Sequence, residues 1–186
     1  MSIESIINSI YKISDNSVSE FTNIVQSVQY PKGHLISQAG KTDPYMYFLE
    51  KGIARAFTNH DGEEVTFWFG MEGSIICSMK NYIENKPSYE SIELLEDSSL
   101  YRISTNDLSE LYERNIEIAN WGRKYIESEI IKTENRLIEL QFMTATDRYH
   151  SLLKNNPTLL QRVPLGIIAS YLGITQVSLS RIRAKG

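Results

Sequence analysis

The chain has 186 residues, 41% of them hydrophobic and 23% charged, with a formal net charge of −4. That is enough apolar material for one large or two small cores and too much for a disordered chain, and no run of about 18 apolar residues offers a membrane span. A lone cysteine, Cys77, excludes an internal disulfide and an iron–sulfur cluster held by this chain alone, and it fits a reducing cytoplasm.

The N-terminus, MSIESIINSIYK, lacks a basic flank followed by an apolar core, so no signal peptide is expected. The pattern begins helical. Ser17-Val18-Ser19-Glu20 fits a capping box, with Phe21, Ile24, Val25 and Val28 following at helical spacing. From about Val28 to Ile103 the texture changes to short runs rich in aromatic and β-branched residues, such as Tyr45–Leu49, Ile53–Thr58 and Val65–Phe69. Turn residues divide them, among them Pro31-Lys32-Gly33, Asp43-Pro44, Lys51-Gly52 and Lys86-Pro87. Strands at such spacing predict an antiparallel barrel or sandwich, with Asp61-Gly62 as its clearest hairpin turn. Alternate members of Phe67-Trp68-Phe69 are expected in its core.

After Ile103 the strands stop. Ser104-Thr105-Asn106-Asp107 offers an N-cap, and a long helix is expected to run to about Met143. Tyr112, Ile116, Ala119, Arg123, Ile126, Ile130, Thr133, Leu137 and Leu140 follow alternating steps of four and three. That repeat is the seam of a two-stranded coiled coil, so Ile116, Ala119, Ile126, Ile130, Thr133, Leu137 and Leu140 are expected to pair two copies of the chain. The competing expectation is a single amphipathic helix lying on its own barrel. Beyond it, Thr144 or Thr146 caps a helix carrying Tyr149, Leu152 and Leu153. Asn155-Asn156-Pro157 ends that helix, and Pro164 opens the next.

Charge is divided unevenly. From Phe142 onward there are six basic residues (Arg148, Lys154, Arg162, Arg181, Arg183, Lys185) against Asp147 alone, a net +5, while the preceding 141 residues carry −9. An acidic body with a basic tail suits phosphate attraction at one end.

Leu165 to Ala184 reads LGIIASYLGITQVSLSRIRA. A helix-turn-helix needs a small residue where its helices cross, supplied by Ala169, and a left-handed turn, which Gly173 adopts without steric cost. Ile168, Leu172, Ile174, Leu179 and Ile182 fall where the shared core lies, and Thr175 is placed to cap the second helix. Gln176, Val177, Ser178, Ser180 and Arg181 are then left outward. Arg181 suits guanine, Gln176 adenine and Val177 a thymine methyl, while Ser178, Arg183 and Lys185 suit phosphates.

With these residues in place the chain resembles the Crp/Fnr superfamily of bacterial regulators. The resemblance rests on the order β-roll, long helix, helix-turn-helix and on RVPLGIIASYLGITQVSLSRIR, and it extends over nearly the whole chain. It implies an α+β fold: an N-terminal antiparallel β-roll (a double-stranded β-helix like the cyclic-nucleotide-binding domain) with preceding helices over 1–104, a dimerisation helix over 105–143 and a helix-turn-helix over 144–186. A cytoplasmic homodimer on a palindromic DNA operator, a small-molecule effector in the roll and a contact with RNA polymerase are implied as well.

Departures from the family's pattern shape the expectation. Its cyclic-nucleotide pocket uses a Gly-Glu segment and an Arg-Ser pair, whereas Ile76-Cys77-Ser78 and Ser88-Tyr89 stand here, with Glu90 and Glu93 beside them. Loss of the arginine removes a charge-assisted bidentate contact to phosphate, so cyclic AMP is not the expected ligand. The chain stops soon after the second helix of the motif, so contacts from a β-hairpin wing are not expected. At the reading positions Gln176-Val177 replaces the Arg-Glu of the family's best-known reader, and Arg181 is retained.

Other classes fit less well. His34, His60 and His150 lie 26 and 90 residues apart, with no paired spacing for a metal, and no nucleophilic triad or phosphate loop is present. No catalytic residue, metal or cofactor is therefore expected. A dimeric protein-interaction or ligand-binding module with weak DNA affinity is the alternative, and a small-molecule β-barrel enzyme a remote one.

Overall fold

A computed structural model describes residues 1–184. It opens with two short helices, α1 (Ile3–Ile10) and α2 (Asp15–Thr22). The helix expected from Ser17 starts earlier: the Ser14 hydroxyl accepts the Ser17 amide, and Ser17 is an interior, buried helical residue. Its own hydroxyl is engaged with Asn115 and Glu117, a tertiary demand that local spacing does not reveal. Val28, expected in that helix, lies instead in a strand opposite Leu100.

Eight strands follow: β1 (Gln26–Tyr30), β2 (Leu35–Ser37), β3 (Tyr45–Lys51), β4 (Ala54–His60), β5 (Glu63–Gly70), β6 (Ile75–Ile76), β7 (Ser91–Leu94) and β8 (Ser98–Ser104). They form two four-stranded sheets, ordered β1-β8-β3-β6 and β2-β7-β4-β5. A short helix, α3 (Met79–Glu84), interrupts the sequence of strands between β6 and β7. The β4–β5 hairpin turns at Asp61-Gly62 as expected. Both residues have positive φ (53° and 86°), the signature of a type I′ turn, and the Asn59 side chain accepts the Gly62 amide. The aromatic run on β5 is not core: Phe67 is exposed and Trp68 and Phe69 half-buried, while Thr66 is the buried residue.

The long helix expected over 105–143 is two helices, α4 (Thr105–Arg114) and α5 (Ile116–Phe142). Asn115 breaks it. Its backbone is extended, and its side-chain oxygen accepts the amides of Glu117 and Ile118, so it caps a fresh start. Four helices complete the described residues: α6 (Ala145–Asn155), α7 (Leu159–Arg162), α8 (Leu165–Leu172) and α9 (Gln176–Arg183). Thr144, not Thr146, caps α6, in a reciprocal capping box with Asp147.

The chain divides into two compact units. The first comprises Met1–Ala56 and Phe69–Glu129, the second Phe57–Trp68 with everything from Ile130 onward. The first unit's core gathers Ile3, Ile6 and Ile7 of α1 and Phe21 of α2 around Trp121 of α5. Phe21 meets Trp121 edge-on at 4.9 Å, and the indole N–H donates to the Ile7 carbonyl at 2.9 Å. In the second unit Ile168, Leu172 and Leu179 are wholly buried, and Tyr149, Leu152, Leu159 and Val163 are buried as well.

Candidate nucleic-acid interface

Helices α8 and α9 bend by 97° at the Gly173 turn. Gly173 is left-handed (φ 68°), its amide donates to the Ser170 carbonyl and the Ile174 amide to the Ala169 carbonyl. This is a Schellman ending, and it demands the conformation that glycine adopts freely. Thr175 caps α9 by accepting the Ser178 amide at 3.2 Å. Leu179 points into the shared core, with Ile174 and Ile182 half-buried.

The opposite face of α9 carries the residues expected there. Gln176, Val177, Ser180, Arg181 and Arg183 are exposed, Val177 at 61%. Ser178 is half-buried, and its hydroxyl bonds that of Thr175 at 3.0 Å. Lys185 lies outside the described residues.

One arginine that charge counting assigned to the basic tail, Arg148, is structural. Arg148 donates through Nε and Nη2 to the Leu172 carbonyl and through Nη1 to that of Met143. Arg136 of α5, absent from the sequence-based expectations, donates to the Tyr171 carbonyl, and its guanidinium sits 3.8 Å from the centre of the Tyr171 ring. Two cations thus terminate α8, where the helix dipole places negative partial charge.

Along α5, Ile118, Trp121, Gly122 and Tyr125 face the first unit's core. The expected seam lies elsewhere on the helix. Ile116, Ile130, Thr133, Leu137 and Leu140 are exposed, and Ala119 and Ile126 half-buried. Tyr112 drops out of the repeat: it belongs to α4, before the Asn115 break, and its hydroxyl pairs with that of Tyr82 at 3.1 Å. Tyr82, Tyr112, Ala119, Gly122 and Ile126 line a cavity of about 410 Å³.

In the roll, local structure accounts for several expected pocket residues. Ile76 is buried on β6, Ser78 caps α3, and Ser88 donates to the carbonyls of Gln38 and Glu90. Tyr89 is 57% exposed. The Cys77 thiol lies 3.9 Å from the Tyr125 hydroxyl, and burial, with Glu129, Glu90 and Asp43 nearby, pushes it up to about 12. Glu90 is buried in phase with Ile92 and Leu94, and its Oε2 has no hydrogen-bond partner among the described residues.

Of the histidines, His34 stacks on Tyr30 at 4.1 Å, His60 lies beside Asp61, and His150 is exposed next to Tyr149. Among the described residues no single helix is long and apolar enough to cross a membrane.

Residues 27–115 match the family model of the cyclic nucleotide-binding domain. Solved structures with this fold include FixK2 of Bradyrhizobium japonicum, with a TM-score of 0.74 at 19% identity over 87% of this chain and 84% of that one. A Crp/Fnr-family transcriptional regulator of Eubacterium rectale also scores 0.74, at 13% identity over 93% and 83%. The catabolite activator protein of Thermus thermophilus scores 0.61 at 21% identity over 95% and 84%. None of the curated proteins matches the sequence. The fold that the resemblance implied is present: the domain model spans residues 27–115, and these neighbours share the fold.

Proposed function

We propose that this chain, which has the fold of the Crp/Fnr regulators, is a homodimeric transcription regulator that reads DNA with α9. The observation that carries the reading is the two-sided character of α9. Leu179 anchors it, Thr175 caps it, and Gln176, Val177 and Arg181 stand free on the outer side. Arg181 has the fork for guanine, Gln176 the amide for adenine and Val177 the methyls for thymine. Thr175, Ser178, Ser180, Arg183 and Lys185 serve the phosphate backbone, which fixes register without reading sequence.

Pairing of two copies along Ile116, Ala119, Ile126, Ile130, Thr133, Leu137 and Leu140 would present two such helices to successive turns of a palindromic duplex, about 34 Å apart. Exposure of the larger apolar residues in that row supports this. The roll would take the effector among Ile76, Cys77, Ser78, Ser88 and Tyr89. Ser88-Tyr89 stands where the family's phosphate-neutralising arginine would be, which removes the charge-assisted contact to a cyclic phosphate, so cyclic AMP is not the effector.

The test is selection of bound sequences from random duplex DNA, followed by gel shifts with Arg181→Ala. Wild type should recover a palindrome, and the variant should lose at least about ten-fold in affinity for it, the value of one bidentate base contact. Equal retardation by both proteins would remove Arg181 from the reading set.

A further inference from the structure

The strand β5 ends the order of its sheet, so its outer edge faces no further strand among the described residues. On that edge the Glu64 carbonyl and the Thr66 amide point the same way, as residues two apart in a strand do. The Ser170 hydroxyl of α8 meets both: it donates to the Glu64 carbonyl at 2.9 Å and accepts the Thr66 amide at 2.9 Å. One side chain thus does what a pairing strand would do for this edge. Thr66 at the junction is 2% exposed. Accordingly the hairpin tip, Phe57–Trp68, groups with the helix-turn-helix as one compact unit, while β4 and β5 begin and end in the other unit.

We infer that Ser170 is a positioning residue, a clip that ties the β4–β5 hairpin to the first helix of the DNA-reading motif and couples the state of one to the other. Ser170 lies three residues before Gly173 and precedes the two carbonyls held by Arg136 and Arg148, so its helix end is fixed on several sides. A shift of the β4–β5 strands would therefore pull on α8 and, through the Gly173 turn, on α9. No change along α5 is needed for that route. The inference rests on the proposed DNA-reading role for its functional meaning, though not for the clip itself.

Hydrogen exchange followed by mass spectrometry tests it on the full chain. In wild type the amide of Thr66 should exchange slowly. Ser170→Ala should accelerate exchange in the peptide spanning the hairpin, and in α8, by at least about ten-fold, and Ser170→Thr, which keeps the hydroxyl, should restore protection. A selected duplex should alter hairpin exchange in wild type and in Ser170→Thr but not in Ser170→Ala. Gel shifts on the same three proteins separate the two claims. If wild type retards duplex yet Ser170→Ala leaves hairpin exchange unchanged, or duplex alters the hairpin of all three proteins alike, the clip is overturned and DNA reading stands. If no duplex is retarded while Ser170→Ala still opens the hairpin and α8 together, the clip stands and the DNA-reading role falls.

Discussion

Arg148 donates two hydrogen bonds to one acceptor, the carbonyl of Leu172, at 3.1 and 2.8 Å. The acceptor belongs to the last turn of α8, where carbonyls lack partners within the helix. A side chain from α6 therefore closes the end of the helix that leads into the Gly173 turn. Arg148→Ala should destabilise the C-terminal helices by about 1.5–3 kcal/mol, the usual loss when a charged group leaves a carbonyl unsatisfied. Arg148→Lys should recover only part, since an ammonium lacks the planar fork. Thermal denaturation with local exchange at α8 measures both, and unaltered protection in the alanine variant would mean that the contact carries no stability.

Ile130 is 60% exposed in the single chain. A charge placed there costs a lone helix little, whereas a buried seam would have to desolvate it. Ile130→Glu should leave the helical circular dichroism unchanged and convert a dimer to single subunits in sedimentation. Finding wild type monomeric across the micromolar range would dispose of the seam.

Asp43 accepts the Tyr47 hydroxyl at 3.5 Å in a half-buried position. Burial pushes its carboxyl up to about 6, against the lowering influence of Tyr47 and Arg102. A carboxyl that holds its proton more firmly when folded stabilises the fold in acid. That contribution is complete below its unfolded value and fades as the pH rises through about 6. Asp43→Asn should therefore raise stability at neutral pH by about 1 kcal/mol, because solvent screens part of the penalty, and change little near pH 4. Urea midpoints at the two pH values check this; identical changes at both would remove Asp43 as the titrating group.

Burial holds the Cys77 thiol in its protonated form, against the hydrogen bond with Tyr125. Since the thiolate is the nucleophile, the folded protein should react with an aromatic disulfide reagent at pH 8 at least about a hundred-fold slower than the urea-unfolded chain. Comparable rates would reveal an accessible, activated thiol and turn attention to redox sensing.

Local signals read well where a short stretch decides its own conformation. Asp61-Gly62 specifies the hairpin, Gly173 the turn between α8 and α9, and Thr175 the start of α9, because each acts through backbone geometry within a few residues. Reading failed where a distant partner claims the residue. Ser17 looks like a cap and is instead an interior helical residue bonded to Asn115. Asn115, unremarkable in a long helical pattern, ends one helix and caps the next.

The amino-acid order by itself determined the succession of strand-rich region, long helical stretch and helix-turn-helix, the inward and outward faces of α9 and the row of apolar residues on α5, since periodicity and turn chemistry are local properties. Only the tertiary structure decided that Arg148 belongs to a helix end rather than to the basic tail's free charge, and that Arg136 of α5 joins it there. It alone also decided that Trp121 ties α5 to α1, and that Ser170 closes the edge of β5. These contacts join residues from 24 to 114 positions apart, and no local pattern encodes which of many donors will meet a given carbonyl once the chain has folded.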